Sequence, residues 1–254
     1  MGDVTNGRRK FITNTAIGLS LLSLPSLTKA QSFKKVAKKK IVCIGGHPDD
    51  PETGCGGTLA KLEKAGHEVT IIYLTTGEAG IKGRSHSEAA GIRKQEAINA
   101  CRILNAKPVF AGQIDGDTIV NKDWLKKMQQ LITAEKPDIV FTHWPIDYHQ
   151  DHQATSLLVI QAWMHMKERF VLYFFEVESG QQTSVFHPTD YVDISDTQEQ
   201  KWKAINCHVS QDPKGIYESG HRTMEEFRGL ELGVKAGEAF VKMTGRLQGG
   251  MLMY

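Results

Sequence analysis

From residue 40 onward the chain alternates short apolar, β-branched runs with longer segments whose apolar positions recur at helical spacing. Lys40 to Ile44 reads as a strand ending in Gly45-Gly46, Thr58 to Ala65 as a helix, and Val69 to Leu74 as a strand stopped by Thr75-Thr76-Gly77. Ser87 to Leu104 keeps helical spacing through Ala90, Ala97, Ile98, Cys101 and Leu104. Pro108-Val109-Phe110 is a short strand, Trp124 to Ala134 a helix, and Ile139 to Thr142 a buried strand restarted by Pro137. Ala154 to Met166 is helical and Val171 to Val177 a strong strand. Tyr191 to Ile194 reads as an edge strand, Asp196 to about Cys207 as a helix, and about Thr223 to Lys242 as a terminal helix.

Strands alternating with helices in this way predict a single α/β domain, Rossmann-like, with a mostly parallel sheet and helices on both faces. In such sheets ligands collect in the crevice beyond the carboxyl ends of the strands. Two polar runs, His47-Pro48-Asp49-Asp50 and His149-Gln150-Asp151-His152, each follow a predicted strand, so one crevice can gather both.

Composition narrows the class. The 254 residues are 40% apolar and 24% charged, enough for one sizeable core without a second domain. The net charge of +2 conceals an asymmetry: residues 1–30 hold Arg8, Arg9, Lys10 and Lys29 against Asp3, leaving the remainder slightly acidic and without an electrostatic footprint for nucleic acid. Paired arginines before Phe11-Ile12, a short apolar run from Ala16 to Leu22 and a small residue at Ala30 resemble a twin-arginine export signal. The run is too short for a stable membrane span. The expected organisation is a signal peptide over 1–30, a basic linker over 31–39 and the domain over 40–254. The protein is then exported, periplasmic or extracellular, with the twin-arginine machinery as a partner. Cys43, Cys55, Cys101 and Cys207 show no metal-ribbon spacing and read as free or buried thiols.

The two polar runs carry the chemistry. A catalytic zinc site commits three nitrogen or oxygen ligands and keeps a fourth position open. His47 and Asp50, on a turn fixed by Pro48, and His152 at the head of a helix form such a set; iron(II) and other divalent ions suit the same donors. Asp49 is left over as a general base. His149 is left to stabilise an oxyanion and protonate a departing amine, with Asp151 to orient its ring. His143 and Asp147 are alternatives within the second run. The glycines around the first turn do not have G-x-G-x-x-G spacing, and the two carboxylates beside them would repel a phosphate, which argues against a nucleotide cofactor.

The run from His47 to Thr58, with Gly66-His67-Glu68-Val69, Arg93-Lys94-Gln95-Glu96, Asp115-Gly116, His143-Trp144-Pro145, His149 to His152, Tyr191 to Ile194 and His208-Val209-Ser210-Gln211, resembles the PIG-L or LmbE-like N-acetylglucosaminyl deacetylase family from about Lys40 to Lys242. The resemblance implies zinc-dependent removal of an N-acetyl group from an amino sugar or glycoconjugate. It implies His47, Asp50 and His152 as zinc ligands, Asp49 as base, and His149 with Asp151 as acid and oxyanion pair. Arg93 and Asp115 are implied toward the sugar. Pro51 and Gln150 depart from the residues many members carry there. The runner-up readings are an amidase acting on a larger acyl or thiol-sugar conjugate, and a metal-containing carbohydrate-binding protein without turnover. Specificity is expected from the loops Glu78 to Glu88 and Ser179 to Pro188.

Overall fold

The computed structural model describes residues 37–167 and 170–245. The export signal and most of the basic linker expected at the N-terminus lie outside the described residues. Seven strands form one sheet in the order β3-β2-β1-β4-β5-β7-β6. In chain order these are β1 (Lys40–Gly45), β2 (Glu68–Tyr73), β3 (Lys107–Phe110), β4 (Ile139–His143), β5 (Val171–Phe175), β6 (Asp190–Asp193) and β7 (Gly237–Lys242). The first five are parallel, while β7 runs antiparallel to both β5 and β6.

Strand alternation divides the core. Ile41 and Cys43 of β1 point to one face, where they meet Cys55 and Leu59 of α1 (Asp50–Lys64), Ala97, Ala100 and Cys101 of α2 (His86–Ile103), and Ala204 of α5 (Gln198–Ile205). Val42 and Ile44 point to the other, against Met128 and Ile132 of α3 (Lys122–Glu135) and Leu158, Val159 and Ala162 of α4 (Gln150–His165). Helices therefore cover both faces, as the continuous apolar strands require. The cysteines are thiols, with Cys43, Cys55 and Cys101 buried. No helix among the described residues is long and apolar enough to cross a membrane.

Two expectations are corrected. The helix read from Thr58 begins at Asp50, because Gly54, Gly56 and Gly57 let it pack closely on Phe175, Lys201 and Ile194 rather than breaking it. A Cβ on Gly57 would lie 2.8 Å from the Ile194 side chain. The terminal helix read to Lys242 is α6 (Arg222–Leu232) followed by β7; Gly233 ends the helix at φ 78° and the chain turns back into the sheet.

What draws β7 inside is a buried charge cluster. Both Glu238 carboxylate oxygens accept from the Gly57 and Thr58 amides of α1, at 2.8 and 2.7 Å. Lys201 Nζ lies 2.8 Å from Glu238, 2.5 Å from Glu178 and 3.0 Å from Glu225. All four side chains are at most 1% exposed. Removing the one cation leaves three carboxylates together in the interior, and breaking a buried pair costs about 3–5 kcal/mol. Lys201→Ala is therefore expected to lower the stability read by urea unfolding by that amount; a loss under about 1 kcal/mol would show that the cluster is not a structural tie.

Candidate active site

The strand ends assemble the site. After β1 the chain turns at Gly46 and His47, and α1 starts at once with Pro51 in its first turn. Asp49 is held at φ 102°, a left-handed backbone that a non-glycine residue adopts at a cost of about 1–3 kcal/mol. Its side chain does not cap the helix. It pairs instead with Arg93 Nη2 at 2.8 Å, and the same nitrogen donates to the Pro48 carbonyl at 2.6 Å. Arg93 Nη1 donates to Gly77 O at 3.2 Å; a Cβ on Gly77 would lie 2.2 Å from that guanidinium, so only glycine admits it. Arg93 lies within α2 at 4% side-chain exposure, so it is neither a surface group nor paired with Glu96. Its visible work is to hold Asp49.

Three side chains meet where β1 and β4 end. His47 Nδ1 is 3.2 Å from Asp50 Oδ2, His152 Nε2 is 3.2 Å from Asp50 Oδ1, and the two ring nitrogens are 3.3 Å apart. A tetrahedral ion with bonds of about 2.0–2.1 Å separates its ligand atoms by about 3.3–3.4 Å, which the two ring nitrogens match, with the Asp50 carboxylate facing both. Three overlapping groups near this point have ligand spacing: His47 with His149 and His152, Asp50 with His143 and His152, and His47 with Asp115 and Asp151. The set His47, Asp50 and His152 draws its members from the first two, and lone pairs already in use set His143, Asp115 and Asp151 aside. His143 Nε2 already accepts the Gly46 amide at 3.0 Å, and Asp151 and Asp115 accept from Gly116, Thr118 and Ala79.

Both candidate ligand histidines have a carboxylate on the ring nitrogen away from Asp50. His47 Nε2 lies 3.0 Å from Asp151 Oδ2 and 3.1 Å from Asp115 Oδ1, and His152 Nδ1 lies 3.1 Å from Asp147 Oδ1. This is how ligating imidazoles are oriented and made more basic. Burial opposes charge on His152, but Asp50 and Asp147 outweigh it and hold the ring up at about 9. Burial likewise opposes charge on His47, and Asp50, Asp115 and Asp151 raise it well above the usual range. The cluster thus favours positive charge at its centre, which a divalent ion supplies. Asp151→Asn or Asp147→Asn is expected to weaken metal affinity about 10- to 100-fold, measured by competition with a chelating dye. Unchanged affinity in both variants would remove the orienting role.

The pairing expected between Asp151 and His149 is not formed. The Asp151 carboxylate is consumed by His47, Gly116 N and Thr118 Oγ1, because α4 begins at Gln150 and turns it toward the β3–α3 loop. His149 instead caps α4, its Nδ1 accepting the Asp151 amide at 3.3 Å. That places the proton of the neutral ring on Nε2. Burial, with His47 and His152 nearby, pushes His149 below the usual histidine range, which favours the neutral ring. Asp115 likewise spends its oxygens on His47 and the Ala79 amide, at 3.1 and 2.9 Å.

A cavity of about 480 Å³ opens over these groups, within the range of small-molecule sites. His47, Asp49, Asp50, Arg93, Asp115, His149 and His152 all line it. Of the two loops expected to shape it, the first contributes Ala79 and Gly80 and the second Gln182. A third wall runs from Ile205 to His221 and contains the motif His208 to Gln211, to which the sequence attaches no role. Asp147 was anticipated only as a substitute ligand, and its orienting role is visible only in space.

Burial raises the Asp49 carboxyl, with Asp50 acting in the same direction, while Arg93 opposes it. About a quarter of the side chain remains exposed, toward the cavity. A carboxylate in this balance is suited to accept a proton near neutral pH.

The chain matches the PIG-L family model, described as GlcNAc-PI de-N-acetylase, over residues 42–163. It is 31% identical over 221 residues to the diacetylchitobiose deacetylase of Thermococcus kodakarensis, covering 75% of this chain and 82% of that protein. Among solved structures, the N,N'-diacetylchitobiose deacetylase from Pyrococcus horikoshii superposes with a TM-score of 0.72 at 30% identity, over 82% of this chain and 84% of that one. The 4-carboxy-2-hydroxymuconate hydratase from Pseudomonas putida shares the fold, with a TM-score of 0.73 at 20% identity over 84% of this chain and 99% of that one. Fold, strand-end cluster and similarity agree, and the chain belongs to the PIG-L family of de-N-acetylases.

Proposed function

We propose that this protein is a zinc-dependent hydrolase that removes the acetyl group from an N-acetylated amino sugar or glycoconjugate. The observation that carries the reading is Asp49, a base-competent carboxylate clamped by Arg93 beside a ligand set whose two ring nitrogens have zinc spacing. His47 Nδ1, Asp50 and His152 Nε2 would hold the ion, which when bound polarises the amide carbonyl and brings the pKa of water toward neutrality. Asp49 takes the proton of the attacking water. His149 Nε2–H donates to the oxyanion that develops as the carbonyl carbon becomes tetrahedral. The C–N bond then breaks, and Asp49 returns its proton to the departing nitrogen, giving acetate and a free amine. Asp151, Asp115 and Asp147 hold the two ligand rings in place, and Arg93 holds the base.

Amino sugars are favoured as substrates because the two chitobiose deacetylases above resemble this chain over most of their length. Incubating the metal-loaded protein with N-acetylglucosamine, N,N'-diacetylchitobiose and simple N-acetyl amines tests the class. Acetate release from the sugars that stops on chelation supports it; release only from non-sugar amides would replace it with a general amidase.

A further inference from the structure

Part of the cavity wall is formed by Ile205, His208, Gln211, Pro213, Ile216 and His221. Two of these are buried histidines, His208 at 1% exposure and His221 at 3%. Neither ring nitrogen of His208 has a hydrogen-bond partner, and Nδ1 of His221 has none. The Glu52 carboxylate stands 3.7 Å from His208 Nε2, an ion-pair distance, so that nitrogen is turned to Glu52 and Nδ1 is the one without a partner. Buried polar atoms are rarely left unpaired, and both rings belong to the cavity wall, so Nδ1 of each calls for a partner that enters it.

The wall is held rigidly enough to read such a partner. Ser210 donates from its amide and its hydroxyl to the two Glu96 oxygens, at 2.8 and 2.7 Å, and Gln211 Nε2 donates to Gly80 O at 3.2 Å. Glu96 lies on α2, three residues beyond the arginine that clamps Asp49, so base and wall share one support. His221 closes a π-helical turn, Tyr217–His221, a local widening often found at functional sites. Burial and the nearby Lys201 hold His221 down at about 4, so the ring is neutral and can donate from one nitrogen while accepting at the other. Around these nitrogens the surface is apolar, from Val177, Ile205 and Ile216.

We propose that His208 and His221 are substrate-recognition residues that hydrogen-bond hydroxyl groups of the sugar through Nδ1 of each ring. The inference rests on the amino-sugar reading above. Polar nitrogens set in an apolar wall select strongly, because a ligand without the matching hydroxyl leaves them unpaired. Gln211 is already bonded within the protein and is not part of the pair.

The test uses zinc-loaded Asp49→Asn protein, in which turnover is blocked, titrated calorimetrically with N-acetylglucosamine and its 3-, 4- and 6-deoxy analogues. Adding His208→Leu or His221→Leu is expected to weaken N-acetylglucosamine binding about 10-fold or more, while His→Gln at either position retains most of it. For each histidine, one deoxy analogue binds worse than the parent sugar in the background protein and no worse in the leucine variant. Equal losses for all four ligands, or no loss, overturn the recognition role and leave the de-N-acetylase reading intact. If the background protein binds no N-acetylglucosamine and the wild type releases no acetate from it, the substrate reading fails and this inference falls with it.

Discussion

Asp49→Ala is expected to bind metal at the wild-type stoichiometry and to release acetate at least about 10³-fold more slowly, toward the upper part of what a positioned general base contributes. The expectation follows from where Asp49 points. It does not belong to the set formed by His47, Asp50 and His152, and its oxygen is committed to Arg93 at 2.8 Å, so its loss leaves the ligand atoms in place. The left-handed backbone at this position remains and the buried Arg93 loses its carboxylate, so the variant is expected to be less stable than the wild type. Rates are therefore compared on protein shown to be folded by circular dichroism at the assay temperature. Inductively coupled plasma mass spectrometry for metal content beside a kinetic acetate assay separates the two effects. A variant with normal metal and near-normal rate would remove Asp49 from the mechanism.

Asp50→Ala and His152→Ala are expected to behave differently, losing metal and activity together. Asp50 presents an oxygen to each ring, 3.2 Å from His47 Nδ1 and 3.2 Å from His152 Nε2. Removing it also leaves His47, His143 and His152 without the carboxylate that each of them faces. Burial favours the neutral Asp50 carboxyl, yet the three histidines hold it well below the usual carboxylate range. Without Asp50 the remaining imidazoles repel charge, and no carboxylate replaces it, since Asp147 and Asp151 are bound to the outer ring nitrogens. Purified Asp50→Ala protein should hold less than about one tenth of an equivalent of zinc after dialysis, with activity at background, in line with the loss of a first-rank ligand from a three-ligand site. Retention of a full equivalent would place the ion on a set without Asp50, either His47, His149 and His152 or His47, Asp115 and Asp151.

Much of this was legible in the sequence because the informative elements are buried on both sides. The strands at 40–45, 68–73 and 139–143 are continuous apolar runs, and the polar clusters follow β1 and β4, which are neighbours in the sheet. Knowing that ligands bind beyond strand carboxyl ends was enough to bring His47 and His152 together. The terminal helix failed for a reason of the opposite kind. Glu238 interrupts the apolar run of β7 and made it resemble a helix face, whereas its carboxylate is fully buried and serves the Gly57 and Thr58 amides. Gly233 and Gly237 were the available signs of the break. Asp151 was read toward His149 because the two are close in sequence; the geometry of the first turn of α4 sends one side chain to His47 and makes the other a cap. Residues such as His208 and His221 acquire meaning only when the return of the chain to the crevice is known.

The most direct measurement compares acetate and free amine released from N-acetylglucosamine by zinc-loaded wild type, by the same protein after chelation, and by Asp49→Ala protein loaded to the same zinc content. Equimolar acetate and amine from the first sample alone, restored to the second on adding zinc, is the predicted result. Undiminished release after complete removal of metal, or from the Asp49→Ala protein, would contradict the account.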